Sequence, residues 1–359
     1  MPPIAPGSLV LVTGANGFVA GVLIDKLLAA GYKVRGTVRS LEKNKWMSTH
    51  YGPSFSLSEV PDLSVPGALD EAVKGCDAVA NVASNTAIDP DPSVFIPPVI
   101  KATVNVLESA AKEPKVKNVV YTSSVVAMAH QVPGEPRVLD KHSWNEYALK
   151  EAWNPDAKEE GLARMLVNYA CSKAASEKAC WDWMAAHKPG FTFNTVCPPV
   201  VLGAPSAAIY TGFSSSAGFA KMLWDGHPEI AFMIPPQWYV DVEDVALLHV
   251  AALSQPDVEN ERLMAFAGKF TWNEVLGALR KFAPERSWPE RIEEPPADQA
   301  SVDIGSSAEL LKRLGKKDGF ASLEEAVRKW VECMVEAEKM DGVPESLVDK
   351  MAAQLNAGK

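Results

Sequence analysis

Cysteine is scarce in this chain of 359 residues: Cys76, Cys171, Cys180, Cys197 and Cys333 are odd in number and scattered, with no C-x-x-C pair. That argues against a disulfide framework and suits a reducing compartment. Cations are outnumbered as well, with 35 Lys and Arg against 45 Asp and Glu and a net charge of −10. Phosphate recognition needs clustered Lys and Arg, so nucleic acid is not an expected partner, and the charge mainly favours solubility. The six His are dispersed without ligand spacing, which leaves no metal site to expect. No stretch reaches the roughly eighteen apolar residues of a membrane span. The start, Met-Pro-Pro-Ile-Ala-Pro-Gly-Ser, lacks the basic region and apolar core of a signal peptide. The expectation is a cytoplasmic protein without a membrane partner.

What the chain has is the material for a large core, 47% hydrophobic and 22% charged residues, and a repeating alternation of elements. The apolar run 8–13 ends at glycines, apolar residues at helical spacing follow from Phe18 to Ala30, and Gly31 stops them. A second strand at 33–38 completes a βαβ unit, whose strands must be parallel. Strand patterns recur at 76–83, 116–123 and 191–196, with a helix expected over 99–112. The alternation predicts an α/β fold, a doubly wound parallel sheet.

After Cys197-Pro-Pro199 the chain turns rich in Pro, Ser, Gly and Trp, then becomes helical again at 242–250. We expect a nucleotide-binding domain over 1–198 with a return segment near 239–253. Residues 199–359 would form mainly a smaller lobe and C-terminal helices, at 322–340 and 344–356.

In Thr13-Gly14-Ala-Asn16-Gly17-Phe18-Val19-Ala20, Gly14 suits a tight turn off the strand. Gly17 lets backbone approach a pyrophosphate at the helix N-terminus, where unpaired N–H groups favour an anion. At the end of the second strand an acidic residue would bind the ribose 2′-hydroxyl of NAD, yet this chain has Val38-Arg39-Ser40. Arg39, helped by Ser40 or Lys43, suits a 2′-phosphate, so NADP(H) is the expected cofactor. Asp62-Leu63 and Asn81-Val82-Ala83 follow later strands, where adenine and ribose would lie.

Thr122-Ser123-Ser124 closes a strand at the same edge, and Tyr169 stands four residues before Lys173 on a helix, so both occupy one face. A phenol is a poor acid-base group at neutral pH, and a neighbouring ammonium draws its pKa down. Together these residues suit carbonyl reduction, with hydride arriving from nicotinamide and Tyr169 protonating the developing alkoxide.

The segments Thr-Gly-Ala-Asn-Gly-Phe-Val-Ala, Tyr-Thr-Ser-Ser, Tyr-Ala-Cys-Ser-Lys and Tyr239-Val-Asp-Val-Glu-Asp-Val-Ala246 resemble those of extended short-chain dehydrogenase/reductases. The chain looks most like the fungal NADPH-dependent aldehyde and ketone reductases, relatives of plant dihydroflavonol reductases, from about Gly7 to Glu336. The resemblance implies a Rossmann fold with a substrate lobe, a small carbonyl compound as substrate, and a monomer or homodimer. It implies a catalytic triad of Ser124, Tyr169 and Lys173. It places Thr122, Pro198, Val200 and Val201 beside the nicotinamide, Arg39 at the 2′-phosphate, and Phe219 and Gln237 in the substrate pocket. Asn105 receives no catalytic role. Two other readings share parts of the pattern: a sugar-nucleotide epimerase or dehydratase, and a non-catalytic NADP sensor. Arg39 and an apolar rather than basic lobe speak against the first, and the retained Tyr and Lys against the second.

Overall fold

The computed structural model describes residues 3–85, 88–346 and 349–350. Its strands are β1 (Leu9–Val12), β2 (Lys33–Val38), β3 (Phe55–Glu59), β4 (Ala78–Asn81), β5 (Asn118–Thr122), β6 (Val138–Leu139), β7 (Thr192–Cys197), β8 (Val200–Leu202), β9 (Trp238–Asp241), β10 (Arg262–Met264), β11 (Gly268–Lys269) and β12 (Ser301–Val302). Seven of them form one sheet in the order β10-β7-β5-β4-β1-β2-β3, with every neighbouring pair parallel. β4 and β5 are buried along their whole length, as strands covered by helices on both faces must be. The chain fills the sheet on one side of β1, then crosses to β4 on the other. The topological switch therefore lies between β1 and β4, and doubly wound sheets hold their ligands at the carboxyl ends of the strands beside such a switch.

Helix Phe18–Ala29 leaves the glycine turn and packs on the later helix Val242–Ser254. Opposite, helix Pro92–Ala111 packs along Gly161–His187, the 27-residue helix that carries Tyr169 and Lys173. The Pro92–Ala111 helix begins seven residues before the start expected at Val99. Asp91 caps it by accepting from the Ser93 N–H at 2.8 Å, and Pro92 sits in its first turn, where a missing N–H costs nothing. Pro97 and Pro98 lie inside it, and the two carbonyls that lose their donors belong to Ser93 and Val94, both exposed. Contrary to the sequence reading, this helix meets the length and mean hydropathy, 1.2, of a membrane span. Its buried residues Phe95, Ile96, Val106 and Leu107 pack into the protein's own apolar clusters, which accounts for the composition.

The return to the sheet is longer than the segment near 239–253. β9 joins a small second sheet between β8 and β11, helix Val242–Ser254 follows, and β10 then forms the edge of the main sheet. Neither β3 nor β10 stands out in the sequence. β10 is three residues long, and β3, Phe-Ser-Leu-Ser-Glu, is a thin edge strand. The main hydrophobic cluster runs from Val10 and Leu23 through Val240 and Leu276 to Trp330, so the C-terminal helix Leu323–Glu338 shares a core with the sheet. Beyond it Val343 packs on that cluster and Lys221 pairs with Asp349 at 2.8 Å. Most of the helix expected over 344–356 lies outside the described residues.

Candidate active site

At the end of β1 the Thr13 hydroxyl donates to Asn81 Oδ1 at 2.9 Å and accepts from the N–H groups of Val82 and Ala83, both at 3.0 Å. It stitches the two strands that flank the switch point. Gly14 then turns with φ +64, and a Cβ there would stand 3.0 Å from the Ala83 Cα, so only glycine fits without strain. Gly17 caps the helix in extended conformation, and its N–H donates to the Gly14 carbonyl at 2.9 Å. Asn16 lies in the turn, and Phe18 and Val19 begin the helix. Gly36 on β2 supports it from below, because a side chain there would collide with Ala15.

Arg39 is exposed just past the end of β2, and no ion pair among the described residues engages it. Ser40 caps the next short helix, accepting from the Lys43 N–H at 3.5 Å, and Lys43 is exposed beside it. After β3, Asp62 accepts from the N–H and hydroxyl of Ser64, which hold its carboxyl below the ordinary carboxylate range. Leu63 gives its carbonyl to Asn105, whose side-chain amide donates at 2.9 Å. Asn105 thus braces the loop after β3.

The remaining candidates gather around the end of β5. Lys173 is buried, and its ammonium donates to the Thr122 carbonyl at 2.9 Å and reaches the Tyr121 hydroxyl at 3.5 Å. Burial pushes its pKa down to about 8, against the opposing charges of Glu177 and Cys197. The Thr122 hydroxyl meets His249 Nε2 at 2.7 Å, while His249 Nδ1 lies 2.8 Å from the Val245 carbonyl. A carbonyl only accepts, so Nδ1 carries the proton and Nε2 accepts from Thr122. Ser124, half-buried, opens a single 3₁₀ turn by accepting from the Val126 N–H at 3.3 Å. The next residue, Val125, donates its N–H to the Pro198 carbonyl at 2.8 Å, joining the Ser124 loop to the segment that leads into Val200 and Val201 on β8.

Tyr169, one turn before Lys173, is half-buried. Here the structure departs from expectation: burial raises its phenol to about 12, opposed by a hydrogen bond with the Ser84 side chain. The Lys173 charge is directed at the β5 backbone, and the phenol is not drawn below its ordinary value in this state.

The two substrate-pocket candidates lie on the lobe side. Phe219, on helix Ala217–Trp224, packs against the main core. Gln237 is buried with both ends of its amide engaged, accepting from Gln131 Nε2 at 2.7 Å and donating to the Pro235 carbonyl at 3.1 Å. Among the described residues no group of His, Cys, Asp and Glu could hold a metal. Sequence reasoning passed over Ser84, Glu177, Arg262 and His249. Only Glu177 had a local signal, standing four residues after Lys173 on the face that Tyr169 and Lys173 share.

A doubly wound parallel sheet with a glycine cradle at its switch point, and a Tyr and Lys on one helix face behind it, defines a dinucleotide-binding α/β protein. The chain belongs to the NAD dependent epimerase/dehydratase family, whose model matches residues 10–264. It is 38% identical to aldehyde reductase 2 of Sporidiobolus salmonicolor, over 90% of this chain and 95% of that one. It is 37% identical to the NAD-dependent epimerase/dehydratase terH of Aspergillus terreus, over 92% and 97%. Among solved structures it is similar to the yeast methylglyoxal/isovaleraldehyde reductase Gre2 complexed with NADPH, at 26% identity and a TM-score of 0.78, with 92% of this chain and 99% of that one covered.

Proposed function

We propose that the protein is an NADPH-dependent carbonyl reductase acting on an aldehyde, ketone or keto-ester. The observation that carries this is the convergence of Lys173, Thr122 and Ser124 at the end of β5, with Tyr169 one turn away on the Lys173 helix. Reductases among the relatives and a neighbour solved with NADPH support it.

NADP(H) fits the residues present. The cradle at Gly14 and Gly17, with Asn16, Phe18 and Val19, would receive the pyrophosphate, and Arg39 with Lys43 the 2′-phosphate. Asp62, Leu63, Val82 and Ala83 would border adenine and ribose. Thr122, Pro198, Val200 and Val201 would border the nicotinamide, and residues 199–359 would mainly shape the substrate lobe, with Phe219 and Gln237 at its pocket. When bound, the nicotinamide supplies hydride to the carbonyl carbon.

The chain's own groups do the rest. The Ser124 hydroxyl donates to the carbonyl oxygen and holds it toward Tyr169, whose phenol protonates the alkoxide as it forms. An alkoxide is a stronger base than phenolate, so a phenol near 12 still transfers its proton downhill. Lys173 then stabilises the phenolate left behind and is placed to hold the nicotinamide ribose.

The test is NADPH and, separately, NADH oxidation over a panel of aldehydes and α-keto-esters. Tyr169→Phe is expected to lose at least about a hundredfold in kcat. Undiminished activity in that variant would remove Tyr169 as the acid, and no turnover with either nucleotide would favour the sensor reading.

A further inference from the structure

Glu177 lies one turn beyond Lys173 on the helix face that carries Tyr169, and its side chain is fully buried. Both carboxylate oxygens are committed. Oε1 accepts from Arg262 Nε at 2.7 Å, the Thr195 hydroxyl at 3.0 Å and Trp181 Nε1 at 3.2 Å. Oε2 accepts from the Ser123 hydroxyl at 2.6 Å and Arg262 Nη2 at 3.1 Å. Arg262 is anchored in turn: its Nη1 donates to the Lys141 and Ser143 carbonyls, and its guanidinium lies 4.1 Å over the Trp144 ring.

Burying a charge pair this deeply yields little stability over an apolar pair of the same shape, so stability alone is a weak reason for it. Its position offers another. Ser123 stands between Thr122, which accepts from the Lys173 ammonium, and Ser124, which opens the reactive loop. Its N–H also donates to the Val196 carbonyl at 2.9 Å. Thr195 lies on β7, just before Cys197 and Pro198.

We propose that Glu177 is a positioning residue of the reductase site. Its carboxylate ties the Tyr169–Lys173 helix to Ser123 just past β5, Thr195 on β7 and Arg262 at the start of β10, and it favours the charged form of Lys173 against burial. The inference rests on the reading of Tyr169 and Lys173 given above. The groups facing Lys173 are Tyr121 and Thr122 from β5, Cys197 from β7, and Glu177 from its own helix. Those facing Glu177 are Tyr121 from β5 and Ser123 just past it, Thr195 and Cys197 from β7, Arg262 from β10, and Lys173, Trp181 and Cys180 from its own helix. Helix Val242–Ser254 brings only neutral His249 to Thr122. Glu177 is thus the acidic side chain of the group, and removing it takes from Lys173 the interaction that favours its charged form.

The experiment follows the ε-carbon NMR signal of Lys173 in the cofactor-free protein, assigned by its loss in Lys173→Met, through a pH titration of wild type and Glu177→Gln. The wild-type midpoint is expected near 8, and in the variant about one pH unit lower, a tenfold change in the proton dissociation constant. A midpoint within 0.3 of wild type in a folded Glu177→Gln protein would overturn the proposal, a threshold set at roughly a third of the expected shift.

If Glu177→Gln does not fold, because Arg262 is left unpaired, Ser123→Ala cuts one bond and leaves both charges. Its kcat for reduction is expected to fall about fivefold with the melting temperature and the KM for NADPH kept, and a change under about twofold would overturn the proposal. The NMR readout needs no turnover. An inactive Tyr169→Phe together with an unmoved Lys173 midpoint in Glu177→Gln would sink this inference alone, and an active Tyr169→Phe would sink the acid role whatever Lys173 does.

Discussion

The Lys173 ammonium lies 2.9 Å from the carbonyl oxygen of Thr122, a backbone atom at the last position of β5, which lies inside the main sheet between β7 and β4. Among the described residues no carboxylate bonds this ammonium directly. Its partners are the Thr122 carbonyl and the Tyr121 hydroxyl, and burial lowers its pKa to about 8.

The first expectation concerns that proton. Burial lowers the Lys173 pKa, so the ammonium dominates below about 8 and disappears as pH rises through that value. In the proposed mechanism the ammonium stands beside the phenolate that forms, so kcat/KM for reduction, which reports the free enzyme, should fall as pH rises through about 8. Lys173→Met should lose this alkaline limb and run at least roughly a hundredfold slower. A limb unchanged in that variant assigns it to another group.

Nucleotide choice should rest on Arg39. Arg39→Ser removes the only side chain at the end of β2 suited to bidentate phosphate binding, and KM for NADPH should rise by about tenfold or more while KM for NADH stays within about threefold. Initial rates with both nucleotides decide it. Parallel loss of both would mean that Arg39 supports the fold and not the 2′-phosphate.

Gly14 should resist any side chain. With φ +64 and the Ala83 Cα 3.0 Å from where a Cβ would stand, Gly14→Ala forces the cradle apart. A destabilisation of about 1–3 kcal/mol in urea and a nucleotide affinity lowered at least about tenfold are expected. Wild-type affinity in a fluorescence titration would mean that the turn is not the pyrophosphate cradle.

Acid should weaken the fold through His249. Burial lowers its pKa from 6.5 to about 4, so between these values the unfolded chain binds a proton that the folded one refuses. Stability is full above 6.5 and is lost as pH falls toward 4. At pH 4.5 the loss from this residue is roughly 2–3 kcal/mol. Urea denaturation of wild type and His249→Gln at pH 7 and 4.5 measures it as the difference in slope between the two proteins. Equal slopes would mean that His249 does not carry the acid sensitivity.

How far the sequence speaks depends on whether a signal is local. Gly14 to Gly17, Arg39 and the Tyr169 to Lys173 spacing are legible because a turn's φ, a strand end and a helix face are set by residues within a few positions. β1, β2 and β7 are legible for the same reason, as short apolar runs bounded by turn signals. The strand Arg262–Met264 is not, since three residues carry no period and pair with β7 only because the chain returns there. The prolines at 97 and 98 hid a helix start, because whether a missing N–H matters depends on the exposure of the carbonyls it would have served.

The sequence by itself therefore determined the kinds of group that can react and the order in which they occur along the chain. Tertiary structure alone decided what surrounds them. Glu177 and Arg262 are 85 residues apart and meet at 2.7 Å, Thr122 and His249 are 127 apart and meet at 2.7 Å. Burial, which moves the Lys173 amine down and the Tyr169 phenol up, belongs to the packing of elements distant in sequence, and no spacing along one chain encodes it.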